Sequence, residues 1–396
     1  MNSALNSQTD RPAPVDVEQA VADRYSAASA QAEAALCCPV EYDTRWLEVL
    51  PQELIEKDYG CGDPSRYVRP GETVLDLGSG GGKVCYIASQ IVGQQGRVIG
   101  VDINQDMLDL ARRFQPQISA AIGWNNVHFH RGRIQDLALD LDRWEGYLQQ
   151  HPIGSTDDWL AAQQQAERCR EESPMVASDS VDVVVSNCVL NLVAPADRRQ
   201  LFTEVFRVLR SGGRAVISDI VSDEHVPPHL QNDPQLWSGC ISGAFQQAAF
   251  LDAFAAAGFH GMEILARQEE AWATVEGIEF RSLTVQAFKH PPQSERDLGQ
   301  AAVYRGPFTA VTDDYGNTLT RGVPQAVGDQ TFALYEQSPY RDQVIRIAPR
   351  QVIAPETAAL FDGRRNTVRA AGETKAGHDT LTQLPVSDCC GPGECC

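Results

Sequence analysis

Three cysteines of this sequence stand in settings where a packed small hydrophobe is out of place. They are Cys61 in YGCGDP, Cys188 in SNCVLNL and Cys240 in WSGCISGA, each after a small or polar residue. A free cysteine inside a regular element is usually a buried small apolar side chain, and Cys85 and Cys169 are read that way. Local pattern alone leaves Cys188 open between the two readings. If the three converge, their thiolates suit a soft trivalent ion. As(III) takes three sulfurs in a trigonal pyramid with one lone pair free, and hard oxygen ligands would hold it poorly. That lone pair carries no proton, so its attack on an electrophile needs no general base; approach and alignment supply on the order of several kcal/mol. Zinc is the competing ion, but no CxxC pair or histidine-ligand spacing accompanies these cysteines.

A second constellation points to a nucleotide. VLDLGSGGGK places a strand before a glycine-rich turn that opens a helix, where Gly78, Gly80 and Gly82 permit positive φ and the helix N-terminus offers unpaired N–H groups. A dinucleotide site uses a similar turn to hold pyrophosphate. Here Asp76, two residues before the first glycine, would repel pyrophosphate and could pair with the cationic amino-acid end of S-adenosylmethionine. Asp102 closes VIGVDI, the point at which an acid accepts both ribose hydroxyls. In GRIQDL, Ile134 could pack on the adenine, and Gln135 or Asp136 could bond its exocyclic amine. Tyr59, Ser79, Ile103 and Asn187 complete the expected cofactor contacts. The alternative is that Asp76 and Asp102 merely cap helices.

These residues need a scaffold. TVLDLGSG, GRVIGVDI and NVHFHRGRI alternate with amphipathic helices, and after an interruption SVDVVVSNCVL, the helix DRRQLFTEVFRVLR, SGGRAVISDI and FLDAFAAAG resume the rhythm. Strands separated by helices of this length predict an α/β fold with a parallel, doubly wound sheet. Ligands bind at the C-terminal rim of such sheets, where the three cysteines fall. Residues 1–35 read as a disordered or helical arm, 36–289 as the catalytic domain with a helical insertion at 137–178. Residues 290–362 read as a small β-rich domain carrying TAVTDDYGNTLTRG, and 363–396 as a flexible tail ending in CCGPGECC.

The chain has 396 residues, which by a prior of ~150 per domain makes two or three units. No stretch reaches the ~18 apolar residues of a membrane span, and the N-terminus lacks the basic and apolar regions of a signal peptide. A soluble, cytoplasmic protein is expected. Its formal charge of −20 repels phosphate backbones, which argues against nucleic acid, while a neutral solute such as arsenious acid meets no such barrier. Eleven cysteines, an odd number, in a reducing compartment favour thiol chemistry over a disulfide framework.

The segments KDYGCGDP, VLDLGSGGGKVCYIASQIVG, GRVIGVDINQDML, SNCVLNL and ISDIVSDEHVP with WSGCISGA resemble the arsenite methyltransferase family over about residues 35–290. The resemblance implies a class I, Rossmann-like methyltransferase fold, S-adenosylmethionine as cofactor, and a role in arsenic detoxification. It carries the family's metalloid-binding cysteines onto Cys61, Cys188 and Cys240, and its redox-active N-terminal cysteine onto Cys37 or Cys38. It also implies a thiol reductant, thioredoxin or glutathione. The insertion and the tail thiols Cys389, Cys390, Cys395 and Cys396 depart from a minimal member. Those four could capture As(III) and pass it inward by thiol exchange, or form disulfides or hold another soft metal. Two other functions compete. One is methylation of an organic molecule, with His225 or His229 as general base; the other is metalloid sequestration without turnover.

Overall fold

The computed structural model describes residues 17–31, 33, 40–290, 295–349, 353–362 and 367–370. Cys37, Cys38 and the four tail cysteines lie outside the described residues. The chain divides into two compact units, Met1–His290 and Pro291–Cys396.

The first unit opens with helices α1 (Val17–Ala30), α2 (Thr44–Leu47) and α3 (Gln52–Glu56). The winding follows with β1 (Thr73–Leu77), α4 (Lys83–Val92), β2 (Arg97–Asp102), α5 (Gln105–Ile122) and β3 (Val127–Arg131). Two helices, α6 (Leu141–Gln150) and α7 (Thr156–Glu172), occupy the insertion, capped by Asp140 and Ser155. Next come β4 (Val181–Asn187), α8 (Arg198–Val208), β5 (Leu209–Ser222), α9 (Pro228–Gln231) and α10 (Pro234–Ser238). The unit ends with β6 (Phe245–Gln246), α11 (Gln247–Ala256), β7 (Phe259–Arg267), β8 (Ala273–Val275) and β9 (Ile278–Lys289).

The main sheet runs β3-β2-β1-β4-β5-β9-β7. Neighbours from β3 to β5 are parallel, and β9 alone is reversed, pairing antiparallel with β5 from Arg214↔Phe288 to Ser222↔Phe280 and again with β7. Central parallel strands are covered on both faces, which is why β1 and β4 read as nearly continuous apolar runs. One core cluster joins Leu75, Leu77 and Val184 to Phe202, Phe250 and Phe254 of α8 and α11. Another joins Val74, Val98 and Val216 to Ile87 of α4 and Ile118 of α5. Strand order reverses between β1 and β4, so their C-terminal ends diverge and open a crevice. A third, smaller apolar cluster, with Ile220, Ile241 and Phe280, surrounds Cys61, Cys188 and Cys240.

The second unit is β-rich. It holds a three-stranded sheet, β10 (Ala301–Tyr304) between β13 (Gln325–Ala326) and β14 (Val344–Ile347), and a hairpin of β11 (Ala310–Thr312) with β12 (Thr318–Thr320). In the turn of that hairpin Asp313 accepts N–H bonds from Tyr315 and Asn317, and Gly316 takes a φ of 84°. Among the described residues, no helix is long and apolar enough to cross a membrane.

Candidate cofactor cleft and thiol site

The crevice between β1 and β4 deepens into a cleft of about 1140 Å³, open mouth included. Asp76, Gly78, Ser79 and Gly80 from the first turn, with Asp102 and Ile103 from the end of β2, form one wall. Ile134 and Gln135 close the far end, and Tyr59 and Asn187 stand near the thiols. Asp136 is turned away: its carboxylate accepts two bonds from Arg170 of α7, at 2.9 and 3.0 Å, which leaves Gln135 as the polar group facing the cleft.

The cleft suits a ligand with one cationic end and vicinal hydroxyls. Asp76 is 2% exposed, and the Cys85 thiol donates to its carboxylate at 3.2 Å. Burial pushes its carboxyl up to about 7, with the charges of Asp58 and Asp102 adding to the effect. Asp58 is already paired with Lys83 at 2.7 Å, whereas among the described residues neither Asp76 nor Asp102 has a cationic partner. Asp102 accepts the Gly80 N–H with one oxygen and the Asn104 N–H with the other, both at 2.8 Å. The Ile103 N–H bonds the same carboxylate, which leaves lone-pair capacity on it for a hydroxyl. The Ser79 hydroxyl is buried with no hydrogen-bond partner among the described residues. At Gly78, with φ at 67°, an added Cβ would lie 2.5 Å from the Val189 side chain, so the turn can pass beneath the exit of β4 only as glycine. Cys85, expected as inert packing, is instead a donor to Asp76.

Cys188 follows β4 directly and faces the same cleft. Its Sγ, the Cys61 Sγ and a carboxylate oxygen of Asp219 lie within 4.8 Å of one another. The Cys240 thiol hydrogen-bonds with that of Cys188 and donates to the Cys188 carbonyl at 3.3 Å. All three are buried cysteines outside any disulfide among the described residues, and sulfur–sulfur hydrogen bonding together with burial holds Cys240 well above the ordinary thiol range. Both Cys188 (φ 64°) and Cys240 (φ 62°) adopt the left-handed region, two of only four non-glycine residues to do so among those described. Such a conformation costs about 1–3 kcal/mol and persists where surroundings over-determine it.

Those surroundings can be named. Asp219, at the end of β5, accepts N–H bonds from Leu190 and Ile220 and from the Asn191 side chain, each at 2.8 Å. Arg198 bonds the carbonyls of Val193 and Gly243, and the Trp237 indole N–H reaches the Leu192 carbonyl, so the Cys188 and Cys240 loops are tied together. Cys61 is held differently. The Asn187 Oδ1 accepts the N–H groups of Cys61 (2.8 Å) and Gly62 (3.0 Å), and Ser282 donates to the Cys61 carbonyl at 2.6 Å. Asn187, expected as a cofactor contact, both lines the cleft and clamps the Cys61 loop.

Two features escaped the sequence reading. Helix α1 brings Val21, Ala22 and Tyr25 into the cleft, and the Tyr25 hydroxyl hydrogen-bonds with Cys240. The helix is fixed there by Tyr59 donating to the Ala28 carbonyl at 2.9 Å and by Asn104 reaching Ala22 and Ser26. Asp219, inside ISDIVSDE, is the other, and nothing in that segment announces its role. His225 and His229 do not line the cleft; His229 pairs with Glu276 at an exposed position.

A methyltransferase-domain family model matches residues 69–145 and 161–258, and a domain of unknown function (DUF8838) matches residues 291–379. The chain is 37% identical over 212 residues to an arsenite methyltransferase of Halobacterium salinarum, covering 53% of this chain and 43% of that protein, less than half its length. It is 31% identical over 291 residues to an arsenite methyltransferase of Aquipseudomonas alcaligenes, covering 70% of this chain and 73% of that one. A crystal structure of an arsenic(III) S-adenosylmethionine methyltransferase from Chlamydomonas reinhardtii superposes with a TM-score of 0.53 at 26% identity, over 82% of this chain and all of that one. With a methyltransferase sheet, a cleft built for a sulfonium nucleotide and a buried trio of thiols at its end, the chain belongs to the arsenite methyltransferase family.

Proposed function

We propose that this protein transfers methyl groups from S-adenosylmethionine to trivalent arsenic held by Cys61, Cys188 and Cys240, as a step in arsenic detoxification. One observation carries the reading: Cys188 lines the cofactor cleft while its sulfur is in contact with the other thiol loops. When bound, the cofactor supplies an electrophilic methyl group. Asp76 would hold its ammonium group, Asp102 the ribose hydroxyls, and Ile134 with Gln135 the adenine; Gly78, Ser79, Gly80, Ile103 and Tyr59 shape the remaining wall. The thiols orient the arsenic lone pair towards the cleft, and the apolar cluster of Ile220, Ile241 and Phe280 excludes water.

Glutathione or thioredoxin is the reductant in this scheme, and Cys37 or Cys38 its relay to Cys61. Methylation of an organic acceptor has less support, because neither His225 nor His229 reaches the cleft to serve as base. Sequestration without turnover leaves Asp76 and Asp102 without a purpose. The test is incubation of the purified protein with arsenite, glutathione and labelled S-adenosylmethionine, followed by separation of arsenic species. Labelled methylarsenicals are expected; their absence, with cofactor binding demonstrated, overturns the proposal.

A further inference from the structure

Two cavities reach the thiol cluster from different sides. Cys188 lines the cofactor cleft and Cys61 does not; Cys61 lines a second pocket of about 770 Å³, open mouth included. Arsenite arriving while the cleft holds cofactor finds the Cys188 side covered, while the pocket at Cys61 stays open.

The chemistry of the second pocket fits such a visitor. Ser282 lines this pocket and spends its proton on the Cys61 carbonyl, so its hydroxyl oxygen is left with acceptor capacity. Thr284 shares its hydroxyl with Ser218 at 2.8 Å, and Gln268 uses its carbonyl on the Ser282 N–H, leaving the amide NH₂ as a donor. Arg66 is paired with Asp63 at 3.0 Å. The wall is thus rich in hydroxyl and amide groups, with its guanidinium locally neutralised. It matches a small, neutral, polyhydroxylated solute better than an anion, which would need an unpaired cation.

We propose that this pocket is the port through which trivalent arsenic enters as its neutral trihydroxy acid, with Cys61 the first thiol to exchange. The inference rests on the reading of the chain as an arsenite methyltransferase. In each exchange the Cys S–H and an As–OH bond break, an S–As bond forms, and the proton leaves with the hydroxide as water. Oxidation state does not change. Repetition at Cys188 and Cys240 completes the three-sulfur complex.

The test follows arsenite capture in the intact protein by the ultraviolet absorption that grows as thiolates bind As(III), with S-adenosylhomocysteine filling the cleft so that no turnover occurs. Capture by the wild type should proceed within about twofold of the rate without that ligand, because the port stays open; a slowing of about tenfold or more would place the entrance in the cleft and overturn the proposal. Ala266→Trp, at an exposed position of β7 in the port wall, should slow capture by about tenfold while leaving the final amount bound unchanged. Unaltered capture in this variant, shown to be folded by its circular dichroism, also overturns the port. A wild type that captures no arsenite at all sinks the parent reading and the port together, whereas failure of the port alone leaves wild-type capture intact.

Discussion

Asp76 shows how burial turns a carboxylate into a pH-dependent element of the cofactor site. Its carboxyl is pushed up to about 7, so near neutrality the free protein holds a mixture of protonated and ionised forms. Only the ionised form can pair with an ammonium group. The raised value means that the proton stays on to higher pH, so cofactor affinity should rise with pH through about 7 and level off above. Below that point it should fall by as much as about tenfold per pH unit. Calorimetric titration of S-adenosylmethionine between pH 6 and pH 8 reads this directly, and a flat profile would remove Asp76 from the binding machinery. Cys85 tunes the same group, since its thiol donates to the Asp76 carboxylate and pulls its value down. Cys85→Ser keeps a donor and should stay active. Cys188→Ser replaces a soft ligand by a hard one beside the cleft and should abolish methyl transfer at every step. Equal losses in the two variants would indicate a folding defect and undo the case for a thiol site.

Elements bring these residues together in different ways, and the Cys61 loop is clamped by hydrogen bonds from the end of β4. Asn187 takes two N–H bonds from that loop and donates to the Gly62 carbonyl at 2.7 Å and the Tyr42 hydroxyl at 2.9 Å. A Cβ at Gly60 would lie 2.0 Å from the Asn187 amide nitrogen, so glycine is required where loop and strand end meet. Asn187→Ala removes all four bonds, each worth about 0.5–1.5 kcal/mol net, without touching the Cys188–Cys240 tie. X-ray absorption should then report two sulfurs around arsenic in place of three, and arsenite affinity should drop about tenfold or more. Three sulfurs in the variant would show that the clamp is dispensable. The parallel winding, the glycine turn, the acid closing β2 and the cysteine leaving β4 were legible because each follows from period and turn chemistry within one segment. The rest depends on partners remote in sequence. Helix α1 shows no clear apolar stripe and docks through backbone carbonyls of Ala22 and Ala28, which no side-chain pattern announces. Asp219 gains its role only because β5 lies beside β4. Left-handed backbone is expected of glycine or asparagine, and nothing in SNCVLNL or WSGCISGA marks Cys188 or Cys240 for it.

For the whole molecule, the residues that line the cleft and form the thiol cluster among those described lie in the first unit. The formal charge of −20 repels anions and leaves a neutral arsenous acid free to approach, so capture from dilute solution depends on thiols that meet it first. In CCGPGECC, two cysteine pairs flank a Gly-Pro-Gly turn that can bring Cys389, Cys390, Cys395 and Cys396 to one ion; the segment lies outside the described residues. Tethering of a captured ion raises its effective concentration at the first unit to the order of millimolar when a flexible linker can span the distance. Thiol exchange would then hand arsenic to Cys61. Deletion of residues 389–396 should therefore raise the arsenite concentration needed for half-maximal rate and leave the rate at saturation almost unchanged, since the reacting groups are elsewhere. Glutathione must be kept low in this assay, because a free thiol would replace the tail as carrier. If the truncated protein matches the intact one at limiting arsenite under those conditions, the tail plays no part in delivery, and the −20 surface with its polar port must suffice to admit the substrate.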